Sequence, residues 1–409
     1  MFEYYIWAVC FVTLYISIFW ISLTQYENKV VNKLTKLPYV SIIVPAYNEE
    51  KNINNALNSL INLDYPKEKI EIIVVDDCST DKTVDIVKDY AKRFKYIKLL
   101  MHDKNMGNAA HSLNTALKHA KGELFARLDA DSVVSPDSLM KVVHYFSDQK
   151  VGAVVSPILP IKTGTIVEKI QRFEYILTNF IRNIMAKIYV LHYTTGVLTT
   201  YRTDVIKRLG YFDEDNITED LEIALRLIKN NYTIEFEPNN ITYTYVPATL
   251  KKFWDQRIRW YRGFLHNSWK YKDMFFNKKY GLLGTFQTPL NILFLFVLLF
   301  SFALFVYQFF DLVYNFFTWL TVTKLDFLNT IQIPDLEYLV LSINIKVVFP
   351  IIVTLLLSVY IYKKAHNMTN QKWKVSFITL IYLFIYPFIT TLQWVYAIIL
   401  ELFKARRKW

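Results

Sequence analysis

The chain has 409 residues, of which 53% are hydrophobic and 17% aromatic, and it nevertheless carries a net charge of +11. That balance excludes an ordinary soluble globule and fits a membrane protein with a charged body outside the bilayer. No basic run with interleaved aromatics lies away from membrane-flanking segments, so the positive excess suits lipid headgroups and an anionic substrate rather than nucleic acid.

Residues Tyr4 to Leu23 form an apolar, aromatic-rich stretch long enough to cross a bilayer. Glu3 stands where a signal peptide would carry positive charge, no small-residue cleavage site follows, and Lys29, Lys33 and Lys36 come just after. The stretch therefore reads as an uncleaved anchor over residues 1–30, with its C-terminal flank in the cytosol.

Beyond Pro38 the pattern becomes α/β. Val40 to Pro45 reads as a strand, and Ala46-Tyr47-Asn48-Glu49-Glu50 opens a helix carrying Ile53, Leu57, Leu60 and Ile61. Ile70 to Val75 is a second strand, ending in Asp76-Asp77-Cys78-Ser79-Thr80. Helix over Thr83–Phe94, strand over Ile97–Met101, helix over Gly107–Lys118, strand over Leu124–Leu128 and helix over Pro136–Phe146 follow in turn. This alternation predicts a mixed, mostly parallel sheet covered on both faces, with ligands at the carboxyl ends of the strands. Asn48-Glu49, Asp76-Asp77 and Asp129-Ala130-Asp131 all fall at such ends. Asp129 and Asp131 on an extended segment would share one face and suit Mg²⁺ or Mn²⁺; a solvated turn is the alternative. Cys10 and Cys78 are the only cysteines, so neither a disulfide framework nor a thiolate metal site is implied.

Val151 to Pro160 suggests one more strand. Ile166 to Val190 keeps helical periodicity and lies either on the sheet or in the membrane interface, where Lys169, Arg172, Arg182 and Lys187 would suit headgroups. Thr194 to Leu198 turns into a strand, Arg202 to Phe212 is helix then loop, and Leu221 to Lys229 is a helix that Thr218 could cap. Phe253 to Lys270 is a basic aromatic helix on the membrane, in which Gln256, Arg259, Trp260 and Gly263 can share a face and Arg257 cannot join Arg259. Leu290–Phe310, Leu339–Tyr362 and Ser376–Leu402, the last interrupted by Pro387, read as spans. The acidic Asp311–Glu337 loop would lie outside and Lys363, Lys364, Lys372 and Lys374 inside. Three spans would then leave Lys404, Arg406, Arg407 and Lys408 outside, against the positive-inside tendency; either the Pro387 segment does not cross fully or the tail breaks the tendency.

Taken together, Val44-Pro45-Ala46-Tyr47-Asn48-Glu49, Asp76-Asp77, Asp129-Ala130-Asp131, Thr218-Glu219-Asp220 and Gln256-Arg257-Ile258-Arg259-Trp260 resemble the membrane-bound family 2 glycosyltransferases. These have a GT-A, Rossmann-like catalytic domain and include cellulose, hyaluronan, chitin and poly-N-acetylglucosamine synthases. The match in order and spacing runs over residues 40–270.

The resemblance implies a GT-A domain over 38–245, interfacial helices over 246–285 and a transmembrane region of about three spans over 286–409. It implies that Asp76, Asp77, Tyr47 and Glu49 hold the nucleotide, and that Asp131 with Asp129 holds Mg²⁺ or Mn²⁺ at the diphosphate. Asp220, beside Glu219, would be the general base, Arg257 and Arg259 would bracket the diphosphate, and Gln256 and Trp260 would serve the acceptor. Relatives carry a lysine after the Asn-x-Gly segment; here Asn105-Met106-Gly107 is followed by Asn108, leaving Lys104 or Arg127 to supply that charge.

The implied activity is inverting transfer from a nucleotide sugar, of the UDP type, elongating a β-linked polysaccharide at the plasma membrane with the catalytic domain cytosolic. The alternative is single transfer to a lipid such as a polyprenyl phosphate, ceramide or diacylglycerol. A nucleotide-binding transporter or receptor is a third class, and it leaves Asp220 and Gln256–Trp260 unexplained. Partners would be the donor, a glycan or lipid-linked acceptor, the bilayer, and a small membrane subunit or second copy to complete a pore.

Overall fold

The computed structural model describes residues 2–26, 32, 34–324, 335 and 343–405. The expectations resting on Lys29, Lys33, Asp326, Glu337, Arg406, Arg407 and Lys408 lie outside the described residues.

The chain divides into two compact units, one of Met1–Gln25 with Pro289–Lys363 and the other of Tyr26–Thr288 with Lys364–Trp409. The first unit is helical and contains α1 (Phe2–Leu23) and two further apolar helices. The second holds a seven-stranded sheet and its helices. Its elements in order are β1 (Val40–Ala46), α2 (Ile53–Ile61), β2 (Ile70–Asp76), α3 (Thr83–Arg93), β3 (Ile97–Met101), α4 (Ala109–His119), β4 (Leu124–Leu128) and β5 (Ser132–Val133). There follow α5 (Ser138–Val143), β6 (Val151–Val155), β7 (Ile158–Pro160), α6 (Ile166–Lys187), β8 (Val197–Arg202), α7 (Thr203–Arg208), α8 (Glu219–Lys229), β9 (Thr233–Phe236), β10 (Thr242–Thr244) and α9 (Leu250–Lys270).

The strand order is β3-β2-β1-β4-β8-β6-β9. The first four run parallel, β8 is antiparallel to both β4 and β6, and β9 is parallel to β6. The apolar runs of β1 and β2 make this possible, because alternate side chains serve opposite faces. Ile42 and Val44 join Ile53, Leu57 and Leu60 of α2 in one core, whereas Ile43 joins Leu113 and Leu117 of α4 and Ile223 and Leu227 of α8 in the other. The chain order reverses between β1 and β4, and that switch point is where such sheets bind ligands.

Several boundaries differ from the sequence expectation. Residues 46–52 form a strand end and loop, and the helix begins only at Ile53. The run Val151–Pro160 splits in two because Pro157 offers no N–H to a ladder; β6 stays in the main sheet while β7 joins β10 and β5 in a three-stranded sheet. The helix α6 starts with a capping box from Thr165 and Glu168 and buries Ile170, Ile176, Phe180 and Ile184. Its cations are largely engaged by protein rather than left for headgroups. Arg172 bonds to Gln371, Arg182 lies buried 5.1 Å from the Tyr193 ring centroid and Lys187 Nζ donates to the Tyr26 carbonyl.

The later apolar helices are α10 (Thr288–Thr323), α11 (Ile345–Met368) and α12 (Phe377–Leu402). With α1 they make four helices, among the described residues, long and apolar enough to cross a membrane. At 36 residues, α10 runs well past the expected end at Phe310, to about 54 Å at 1.5 Å per residue. Asp311 is therefore helical and not the start of a loop, because Tyr314 to Val322 continues the apolar pattern. In the first unit, the Tyr5 hydroxyl on α1 donates to the Val297 carbonyl of α10 at 3.1 Å.

Candidate active site

The first wall of the site is built where β1 and β2 end. Asn48 takes a left-handed conformation at φ +55, which asparagine tolerates better than most residues. Its N–H donates to Ser79 Oγ at 2.9 Å and its Oδ1 accepts from the Thr80 N–H at 2.8 Å, locking the two strand-end loops together. Tyr47 beside it is half exposed.

Asp76 and Asp77 divide their work. Asp76 Oδ2 accepts from the Ser79 N–H at 3.0 Å, but Oδ1 is buried with no hydrogen-bond partner. A buried acceptor in that state is suited to a donor brought by a ligand. Asp77 is already occupied: it accepts from the N–H groups of Met106 and Gly107 at 3.0 and 3.2 Å and from His102 Nδ1 at 2.8 Å. It shapes the 105–107 turn, where Gly107 sits at φ +77.

The second wall is the Arg127 to Asp131 stretch at the end of β4. Asp129-Ala130-Asp131 is a tight turn and not an extended run, closed by the Ser132 N–H donating to the Asp129 carbonyl at 3.0 Å. The carboxylates converge through this turn and not by strand alternation. The Asp129 N–H donates to the Gly196 carbonyl at 3.1 Å. A Cβ at position 196 would stand 1.9 Å from Asp129 Oδ2, so only glycine permits that approach. Asp131 Oδ1 accepts from Ser132 Oγ at 3.0 Å and Thr244 Oγ1 at 3.2 Å.

Glu49, Asp129 and Asp131 repel one another in this cleft. Burial first, then the Glu49 charge, raises Asp131 above the usual carboxylate range. Burial, with Asp131 and Glu219 against the opposing Arg127, pushes Asp129 up to about 6, and Glu49 rises through burial with Asp129 and Asp81. A divalent cation with oxygen preference would relieve this crowding. Among the described residues no group of three or more His, Cys, Asp or Glu forms a metal cage. Two carboxylates plus a ligand's phosphates are, however, a common Mg²⁺ arrangement.

The third wall is the start of α8. Thr218 occupies the N-cap position, but its side chain makes no capping bond; Oγ1 instead accepts from Asn267 Nδ2 at 3.0 Å. Glu219 is buried and accepts from Arg127 Nη1 at 2.6 Å, while Arg127 Nε reaches Asp129 at 3.1 Å. One buried guanidinium thus joins the β4 carboxylates to the α8 acids. Asp220 accepts from the Leu221 N–H at 2.8 Å. Burial and the adjacent Glu219, against Arg127 and Arg259, push its carboxyl up to about 6.

The helix α9 closes the site. Gly263 is required there, since a Cβ would meet Thr218 Oγ1 at 2.2 Å. Arg259 Nη1 donates to the Ile217 carbonyl at 3.2 Å, beside Glu219 and Asp220. Arg257 is placed differently from Arg259. It is fully buried, pairs with Glu174 of α6 at 2.5 Å and with Gln256 Oε1 at 2.7 Å, and lies 4.1 Å from the Trp260 ring centroid. The structure brings Arg259 to the carboxylates and leaves Arg257 holding Trp260 and Gln256 from behind.

Asn108 also has a local explanation. It caps α4 by accepting from the His111 N–H at 3.0 Å and donates to the Glu214 carbonyl at 2.6 Å. Arg127 is tied to Asp129 and Glu219, and Lys104 is exposed at the same turn. Nothing in the local sequence pattern marks Glu174, Thr244, Asn216 or Asn267 as part of the site, whereas Gly196 carries a local signal, a lone glycine ahead of an apolar strand.

The family profile described as glycosyl transferase family 2 matches residues 41–210. The probable glycosyltransferase YdaM of Bacillus subtilis is 32% identical over 292 residues, covering 68% of this chain and 69% of that protein. The poly-beta-1,6-N-acetyl-D-glucosamine synthase of Staphylococcus epidermidis is 31% identical over 268 residues, 62% of this chain. The match spans 64% of that synthase's length. Among solved structures, the mannosyltransferase PcManGT from Pyrobaculum calidifontis in complex with GDP-Man and Mn²⁺ superposes with a TM-score of 0.65. It covers 99% of this chain and 100% of that one at 20% identity, a likeness of fold.

Proposed function

From the membership of this chain in glycosyltransferase family 2, with a GT-A fold and helices apolar enough for a membrane, we propose an inverting transferase that extends a β-linked polysaccharide from a nucleotide sugar. The observation that carries this reading is Arg127, which ties Asp129 to Glu219 and so sets the donor side against the base. The likeness to the staphylococcal polymer synthase supports a polysaccharide product and an N-acetylhexosamine donor of the UDP type.

In this reading Asp76 offers its unpartnered Oδ1 to the nucleotide, with Tyr47 and Glu49 beside it and Asp77 shaping the turn that closes the pocket. Asp131 and Asp129 would hold Mg²⁺ or Mn²⁺. That ion supplies charge neutralisation to the departing diphosphate. Arg259 adds a bidentate cation that lysine could not reproduce. Asp220 takes the proton from the acceptor hydroxyl as its oxygen bonds to the anomeric carbon, the bond to the diphosphate breaks, and configuration inverts. Glu219 positions Arg127, and Arg257 with Gln256 positions Trp260, the platform for the acceptor sugar.

The domain plan is an anchor over 1–30, a cytosolic catalytic domain over 38–245, interfacial helices over 246–285 and a membrane region over 286–409, at the plasma membrane. Passage of the glycan through the bilayer would need a small membrane subunit or a second copy. Purified full-length protein given a panel of nucleotide sugars with Mg²⁺ or Mn²⁺ should make long polymer. A product that stops after one sugar on a lipid would replace this reading with single transfer.

A further inference from the structure

The helix α12 has the length and apolarity of a membrane span, yet its packing gives it another place. It runs beside α9 in the same direction along the length of that helix. Phe253 lies 6.3 Å from Tyr386 and Tyr261 stacks on Trp394 at 4.2 Å, centroid to centroid. Further on, Arg262 Nε bonds to Glu401 at 2.6 Å and Nη2 to the Ala405 carbonyl at 2.5 Å. Both helices belong to the unit that contains the sheet.

Depth in the bilayer follows from α9. That helix carries Lys251, Lys252, Asp255, Arg257, Arg259, Arg262 and Lys270, and each charge at the centre of a bilayer is costly. A helix so charged lies outside the hydrocarbon, and a partner in contact along its length shares its depth. The outward face of α12 is apolar, with Phe377, Phe384, Phe388, Leu392 and Ile399 exposed, while Thr391, Gln393 and Glu401 turn inward or toward α9. The polar side chains of α12 are thus turned to protein, and its aromatic face is left for lipid. The chain keeps both helices near lipid: α9 is followed by α10, and α12 begins at Phe377, shortly after α11 ends at Met368.

We infer that α12 lies flat in the membrane interface beside α9, its aromatic face in the lipid, and does not cross the bilayer. The C-terminus then stays on the side of the catalytic unit. This removes the charge conflict at Lys404 and the basic residues after it, and it leaves α10 and α11 as the C-terminal spans.

Single cysteines test this. In a Cys10→Ser, Cys78→Ser background, Lys372→Cys reports the segment before α12 and Lys404→Cys the segment after it; both positions are exposed. Labelling with a membrane-impermeant maleimide is compared between intact cells and inverted vesicles. Reaction of both cysteines from the same side is expected, and reaction from opposite sides would overturn the inference. A C-terminal epitope on the otherwise natural chain gives a second readout. Its protection from protease on the side where Lys372→Cys reacts would count equally against it.

Discussion

Arg127 and Glu219 are 92 residues apart in sequence and 2.6 Å apart in space. The Arg127 guanidinium is buried and its second arm holds Asp129, so the end of β4 and the start of α8 are fixed as one rigid piece. Burial opposes this charge, but Asp129, Glu219 and Asp220 around it raise the Arg127 pKa further, so it stays charged.

Replacing Arg127 should therefore damage both walls at once. Arg127→Met strands buried carboxylates, a loss of about 3–5 kcal/mol for breaking such a pair. Arg127→Lys keeps the charge but cannot span two partners, and should lose turnover at least ~10-fold, about 1.4 kcal/mol. Thermal unfolding beside initial rates would separate the two effects. A fully active Arg127→Met would remove Arg127 from the account.

Gly263 and Asn267 make a second link. Asn267 is fully buried and bonds Asn216 at 2.8 Å as well as Thr218. Gly263→Ala must push α9 away from Thr218, at a cost of about 1–3 kcal/mol by overpacking. Because Arg259 rides on the same helix, turnover should fall more than stability. A Gly263→Ala enzyme with wild-type rate and a lowered melting temperature would show that the contact is only structural.

The Asp220 carboxyl, raised to about 6 by burial and Glu219, predicts a pH profile. Below about 6 it is protonated and cannot accept a proton, so rate should fall on the acid side of that value. The stability sign is opposite. A carboxyl whose folded pKa is raised stabilises the fold when protonated, and this contribution is lost as pH rises through the folded value. Asp220→Asn should thus abolish transfer while unfolding at a higher temperature than wild type at pH 8. An acid limb that persists unchanged in a weakly active Asp220→Glu enzyme would point to another base.

Asp131 is the carboxylate on which metal dependence should rest. Asp131→Asn keeps the shape and the contact with Thr244 but removes the charge, and should abolish stimulation by Mg²⁺ or Mn²⁺. Binding of the free nucleoside, read by calorimetry, should be little changed because Asp76 lies at a different strand end. Metal-stimulated turnover equal to wild type would place the ion elsewhere.

The doubly covered sheet is readable in the sequence because β1 and β2 are mostly apolar, β-branched runs and α2, α3 and α4 keep helical spacing. The acidic strand ends were readable for the same reason: a sheet of this order sends its loops to one edge. What stayed hidden depends on long-range packing. The burial of Arg257 against Trp260 goes with its pairing to Glu174, 83 residues earlier on α6, and nothing in the local pattern announces that pair. The β5-β10-β7 sheet was missed because its strands are only two or three residues long. The α12 stretch has the apolarity of a span, and only its alignment with α9 separates the two readings.

The most direct test of the central claim is the mass of the product. Full-length enzyme in lipid nanodiscs, given UDP-N-acetylglucosamine and Mn²⁺, should yield β-linked chains of many N-acetylhexosamine units, and Asp220→Asn should yield none. Polymer from the Asp220→Asn enzyme, or no sugar transfer by the wild type from any nucleotide sugar, would contradict the account.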